Sequence, residues 1–195
     1  MARKKSVVNL YLLFVAVLLI FFCQAALAAD EGAALAVGTT MPKIKLGAPN
    51  SAADKEYLGL ASEEGFTLSE VQGKFVLIEL FNAFCGTCHK NAPKFNKLYK
   101  VIADDSVLSK DIKVLGIGVG SKAKHVKAYK QKFRVQFPLI PDRKKVVFKE
   151  LGSPGYPFTI LADRNGKVLL THGGLIDDVD AFLLEIRKIH DQQGA

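Results

Sequence analysis

A seven-residue apolar run, Phe-Val-Leu-Ile-Glu-Leu-Phe at positions 75–81, stops just short of Cys85-Gly86-Thr87-Cys88-His89, and helical periodicity starts at Gly86. A run that is apolar at nearly every position suits a strand covered on both faces, the condition of a parallel sheet flanked by helices. The downstream chain repeats this alternation. Phe95, Leu98, Tyr99 and Ile102 recur at helical spacing, and residues 112–119 form a second buried strand. Residues 121–133 read as an amphipathic helix with Val126, Tyr129 and Phe133 inside, 137–140 as a short strand, and 144–151 as a helix ended by Gly152. Residues 158–162 and 167–171 are strands joined by the tight turn 163–166, and 179–190 close the chain as a helix with Phe182, Leu183, Ile186 and Ile189 on one face. Upstream, 43–46 and 57–60 read as two short strands of an N-terminal hairpin extension, with a turn at 49–53 between them and one helical turn at 69–71. This order predicts an α/β fold with a parallel core and a terminal antiparallel hairpin, hence a mixed sheet.

Residues 1–28 have a different character. Arg3, Lys4 and Lys5 precede an apolar stretch from 7 to 22, and Ala26-Leu27-Ala28 supplies small residues at a cleavage position. This is the pattern of a secretory signal. Left uncleaved and inserted whole, residues 7–29 just suffice to span a membrane, which makes an anchor the alternative. Residues 29–40 read as a flexible lead-in and 41–191 as one domain, so the expected location is periplasmic or otherwise extracytoplasmic. Phe22 before Cys23 is too bulky for a lipoprotein cysteine, and Cys23 is given no function. The formal charge is +8, and removing Arg3, Lys4 and Lys5 with the signal leaves +5. The basic residues, such as Lys122, Lys124, Lys127, Lys130 and Lys132, are spread over solvated faces without the arginine stripe of a nucleic-acid surface.

Beyond the signal, Cys85 and Cys88 are the two remaining cysteines. A disulfide across so short a loop constrains the unfolded chain little, so the pair is better explained by chemistry than by stability. Thiol–disulfide exchange needs one exposed, ionisable thiol and a second close enough to resolve the mixed disulfide. A CxxC at a helix start provides both: the free N–H groups and the helix dipole favour a thiolate on Cys85, while Cys88 lies one turn inside. Cys85 is therefore assigned as nucleophile and Cys88 as resolving thiol.

Three further features accompany the dithiol. Glu79 lies in the strand six residues before Cys85, Pro93 lies five residues after Cys88, and Gly155-Tyr156-Pro157 precedes the strand at 158. With these features, residues 38–190 resemble the thioredoxin superfamily, and within it the secreted or membrane-tethered TlpA/ResA-like thiol–disulfide oxidoreductases with a redoxin domain. The resemblance implies a thioredoxin-like three-layer fold, a central mixed sheet flanked by helices. It implies that Glu79 is a buried proton relay, that Pro93 kinks the active-site helix, and that Pro157 rather than Pro154 is a cis-proline facing the dithiol. Tyr156, Pro157 and Phe84 then form the substrate-facing surface. It also implies disulfide-containing extracytoplasmic proteins as partners and a membrane thiol donor, with no metal or organic cofactor. Two departures leave the direction of electron flow open. Phe84 stands where the family usually has Trp, and Gly86-Thr87 replaces the Gly-Pro of thioredoxin.

Three other chemistries fit parts of the pattern. Cys85–His89 is also CxxCH, the attachment motif for c-type haem, with His89 as axial ligand. A thiol peroxidase shares the fold, though Asn82-Ala83-Phe84 lacks the upstream Pro and Thr of a peroxiredoxin. A copper-binding assembly factor would use the two thiols with a histidine such as His172, though such proteins space their cysteines by three residues. His125 and His190 read as helix-surface residues.

Overall fold

In a computed structural model of the chain, residues 35–62 and 64–193 are described. The expected signal segment 1–28 and the first part of the lead-in lie outside the described residues.

The central element is β1 (Phe75–Phe81), every residue of which is buried. It is followed by α2 (Gly86–Asp104), the short α3 (Leu108–Asp111), β2 (Ile112–Val119), α4 (Ala123–Phe133), β3 (Leu139–Asp142), α5 (Val146–Glu150), β4 (Phe158–Asp163), β5 (Val168–Gly173) and α6 (Val179–Gln193). A first helix, α1 (Ala52–Leu58), and a single 3-10 turn (Leu68–Glu70) precede β1. The sheet order is β3-β2-β1-β4-β5. β1, β2 and β3 run parallel, while β4 is antiparallel to both β1 and β5, giving the expected mixed sheet.

Alternation along β1 sends side chains into two cores. Phe75, Leu77 and Phe81 face one core, filled by Phe95, Leu98 and Ile102 of α2, Val126 and Tyr129 of α4, and Phe182 and Ile186 of α6. Both parallel crossovers step the same way along the sheet, so right-handed connections place α2 and α4 on this face. Val76, Ile78 and Leu80 face the other core, closed by Met41, Leu46, Leu58 and Phe66 from the N-terminal segment and by Val147 and Leu151 around α5. The result is three layers.

The N-terminal part differs from expectation. The strand expected at 57–60 is the end of α1, which Ser51 caps by accepting the Asp54 N–H (3.1 Å) and Gly59 ends in a left-handed conformation (φ 67°). The hairpin expected there reduces to an isolated antiparallel bridge between Leu46 and Phe66. α1 instead closes an edge. β3 pairs with β2 only from Gly116 onward, and Tyr57 Oη accepts the Val114 N–H at 3.0 Å in the unpaired half. Gly38 and Thr39, at the end of the expected lead-in, hydrogen-bond along the start of β5: Gly38 N–H donates to Val168 O (2.8 Å) and Val168 N–H to Thr39 O (2.8 Å).

Smaller offsets have local causes. β3 runs two residues beyond the expected end and includes Pro141, tolerated because β3 is an edge strand. α5 begins late because Asp142 accepts from Val146 N–H (2.8 Å) and Phe148 N–H (3.0 Å), fixing where the turn starts. α4 starts at Ala123 rather than 121 because Lys122 is extended (ψ 158°) and serves as its N-cap, its N–H reaching back to His125 Nδ1 (3.4 Å).

Candidate active site

The site lies where the parallel strands end. After Phe81 the chain makes a turn held by Asn82, whose side chain accepts the Phe84 N–H (2.9 Å) and donates to Val119 O (2.8 Å) on β2. That turn delivers Cys85 to the N-cap of α2 in an extended conformation. Its Sγ accepts the Cys88 N–H at 3.2 Å, satisfying one of the free donors of the first helical turn. The Cys85 thiol is half-exposed, and both cysteines are free thiols. Cys88 is wholly buried. Burial, reinforced by its hydrogen bond with Cys85, pushes the Cys88 thiol well above the ordinary cysteine range. The pair is thus asymmetric, one sulfur facing solvent at a helix N-terminus and one held protonated beneath it.

Glu79 faces the same core as the dithiol helix. It is 1 % exposed, and burial raises its carboxyl from 4.5 to about 7 against the opposing effect of the Asn91 hydrogen bond. Asn91 was not singled out by the sequence analysis. It sits three residues after Cys88, hence on the same helix face. Its Nδ2 donates to Glu79 Oε1 (2.9 Å), and its Oδ1 accepts the Ile176 N–H (3.0 Å), so one buried amide joins α2, β1 and the segment after β5. Directly across from Glu79 on β4 is Thr159, whose Oγ1 is buried with no hydrogen-bond partner. Tyr129 Oη donates to Cys88 O (3.1 Å), fixing α4 against the first turn of α2. The i,i+3 spacing of Asn91 and the buried face of α4 were the available sequence signals for Asn91 and Tyr129; nothing local marks Thr159.

Opposite the dithiol, Tyr156-Pro157 is a cis peptide. The Cys85 thiol lies 3.9 Å from Tyr156 O. Pro157 is buried, whereas Phe84 (69 %) and Tyr156 (37 %) are exposed large apolar side chains beside the thiol. Phe84 meets His125 edge to face at 4.8 Å, and Tyr156 meets Phe148 at 6.0 Å. Pro93 lies inside α2, where it removes the N–H that would bond to His89 O.

The histidines raised by the sequence face elsewhere. His89 Nε2 bonds to Ala83 O (2.8 Å) and its ring packs on Phe133 (5.0 Å), while Cys88 is enclosed, a poor arrangement for a haem bound through both thiols and His89. His172 is on β5, two strands from β1, with Nε2 bonded to Leu175 O (3.0 Å). His190 is buried rather than on the helix surface, against Asp111 at 2.8 Å.

Together, the sheet order, the dithiol at the first strand–helix junction and the cis-proline loop facing it define a thioredoxin-like fold with a dithiol site. Residues 36–178 match the model of the Redoxin family, and the chain belongs to that family. Among curated proteins it is similar to the thiol-disulfide oxidoreductase ResA of Geobacillus thermodenitrificans, 27% identical over 159 residues, covering 80% of this chain and 82% of that protein. The ResA of Geobacillus kaustophilus is 27% identical over the same length. Among solved structures, the thioredoxin domain of a thiol-disulfide oxidoreductase from Bacteroides vulgatus superposes with a TM-score of 0.59 at 20% identity, covering 79% of this chain and 97% of that one. A thiol:disulfide interchange protein from a Bacteroides species gives 0.58 at 21% identity, covering 80% and 90%.

Proposed function

We propose that this protein is an extracytoplasmic thiol–disulfide oxidoreductase that reduces disulfides in partner proteins. The observation that carries the reading is the pairing of a half-exposed Cys85 sulfur, bonded by the Cys88 N–H, with a wholly buried Cys88 thiol. The ResA relatives support the same chemistry, and the basic-apolar-small pattern of residues 1–28 supports export.

The Cys85 thiolate attacks one sulfur of a partner disulfide. A mixed disulfide forms, and the partner's other sulfur leaves as a thiolate and takes a proton. The Cys88 N–H in the first turn of α2 holds the attacking sulfur of Cys85 in place. Cys88 then loses its proton and attacks Cys85 Sγ, releasing the second partner thiol. Two electrons pass to the partner, and Cys85–Cys88 is left as a disulfide. Burial holds Cys88 protonated until this step, which limits futile reaction with solvent thiols. Glu79, with a carboxyl near neutrality, accepts the Cys88 proton and passes it on. Phe84, Tyr156 and Pro157 supply the surface on which the partner segment lies, Tyr156 offering backbone groups as strand addition would. A membrane thiol donor of similar chemistry then re-reduces the pair.

The test is reduction of a protein disulfide by the full chain with a regenerating thiol. Turnover is expected for the parent and loss of turnover for Cys85→Ser. Full activity in Cys85→Ser would overturn the reading.

A further inference from the structure

The edge of the sheet that carries the dithiol is electrically lopsided. Because β1, β2 and β3 are parallel, their carboxyl ends share one edge, and the residues that follow them line up there. Cys85 follows β1, Lys122 and Lys124 follow β2, and Arg143, Lys144 and Lys145 follow β3. All five cations are exposed, and none forms an ion pair among the described residues. Between positions 122 and 149 the chain has ten lysines and arginines, of which Lys130 pairs with Asp54 of α1 (2.9 Å), and a single acidic residue, Asp142, which is buried and spent on capping α5. The flank is continuous with the site: His125 of α4 touches Phe84, and the Lys145 side chain lies over Gly120 beside Asn82.

The other side of the dithiol is more nearly balanced. β5 ends at the same edge, and beyond it Asp180 pairs with Lys97 (2.8 Å) and Asp177 lies 3.9 Å from Lys94. The unpaired charge is therefore concentrated on one side of Cys85, while on the other Lys90, on the same helix face as Lys94 and Lys97, is exposed without an ion pair among the described residues. Like charges held together unpaired destabilise the fold slightly and raise the local concentration of anions.

We propose that this basic flank is a docking surface for an acidic stretch of the partner polypeptide, next to the cysteine that Cys85 attacks. The proposal rests on the reading of the site as a thiol–disulfide exchanger and narrows its substrate to disulfide proteins with aspartates or glutamates beside one cysteine. A polypeptide is favoured over a lipid surface because the exposed Phe84 and Tyr156 and the half-exposed sulfur lie at the inner end of the cationic row, where a reacting segment must reach. Charges of this kind act on encounter and orientation, so the expected signature is in the association rate and its salt dependence.

The test is the rate of exchange between the reduced full-length protein and two disulfide peptides of the same core, one flanked by aspartates and one by lysines. Hydroxyethyl disulfide, which is neutral, is the control. The aspartate peptide is expected to react about tenfold faster at low salt. The gap should close near 1 M salt, where the screening length falls to about 3 Å. The triple variant Lys122→Glu/Lys124→Glu/Lys144→Glu should reverse the preference while the rate with hydroxyethyl disulfide is kept. The milder Lys122→Gln/Lys124→Gln/Lys144→Gln should level the two peptides. Equal rates for the two peptides with the parent protein, or a preference that survives both variants, would overturn the proposal. So would charge-dependent capture on phosphatidylglycerol but not phosphatidylcholine vesicles with no peptide preference, since the cations would then serve a lipid surface. A parent protein inert toward hydroxyethyl disulfide would instead sink the underlying reading as an exchanger.

Discussion

At the scale of single residues, Glu79 and Asn91 set the terms. A carboxyl buried among Leu77, Phe81 and the α2 core is held near 7 rather than 4.5. Its folded value lies above its unfolded one, so its ionisation opposes folding. Stability on its account is greatest below pH 4.5, falls as pH rises toward 7, and levels off above it. The fall is about 3 kcal/mol. Glu79→Gln keeps an acceptor for Asn91 and removes the charge, so urea unfolding should find it more stable than the parent at pH 8 and similar at pH 4. The same variant should slow the resolving step by roughly a hundredfold, read as accumulation of mixed disulfide. Asn91→Leu should move the Glu79 titration upward, visible in its carboxyl infrared band, since the Asn91 bond lowers it. That variant also orphans the buried Ile176 N–H, at a cost of about 1–3 kcal/mol. Glu79 was legible in the sequence because a carboxylate inside an apolar strand is conspicuous. Asn91 was not, because a single amide on a helix reads as surface until its partner across the core is known.

At the scale of elements, the sequence reading succeeds where burial dominates and falters where caps do. β1 and β2 match expectation because continuous apolar runs leave little choice of register. Residues 57–60 read as a strand because Tyr57, Leu58 and Leu60 are apolar within a short span, whereas Tyr57 and Leu58 close α1. Its defining signals, Ser51 at one end and Gly59 at the other, are local hydrogen-bonding devices. The same logic explains the shifted starts of α4 and α5, fixed by the extended Lys122 and by Asp142. α1 has a job that periodicity could not reveal: Tyr57 seals the Val114 N–H on the open half of β2. Burial raises the Tyr57 hydroxyl well above its ordinary range, so it stays protonated throughout the working pH range. Tyr57→Phe should lower unfolding stability by about 1–3 kcal/mol, leaving alkylation of Cys85 unchanged.

At the scale of the whole molecule, two cores back one sheet, and the face away from the α2 helix is closed largely by the N-terminal segment. Met41 and Leu46 are almost fully buried there. Each contributes about 1.5–3 kcal/mol, a large share of the 5–15 kcal/mol typical of a domain. Met41→Ala with Leu46→Ala should therefore lower the melting temperature by 10 °C or more, although neither residue touches the dithiol. This frame leaves the carboxyl edge of the sheet free to present Cys85, with Cys88 and Glu79 enclosed beneath it. The division of labour between the two sulfurs is the central claim. It is tested most directly by incubating reduced Cys85→Ala and Cys88→Ala variants with a disulfide protein and measuring covalent adducts by mass spectrometry. Cys88→Ala should hold the partner in a stable mixed disulfide on Cys85, and Cys85→Ala should form none. Adducts of equal yield on Cys88 in the Cys85→Ala variant would contradict the account.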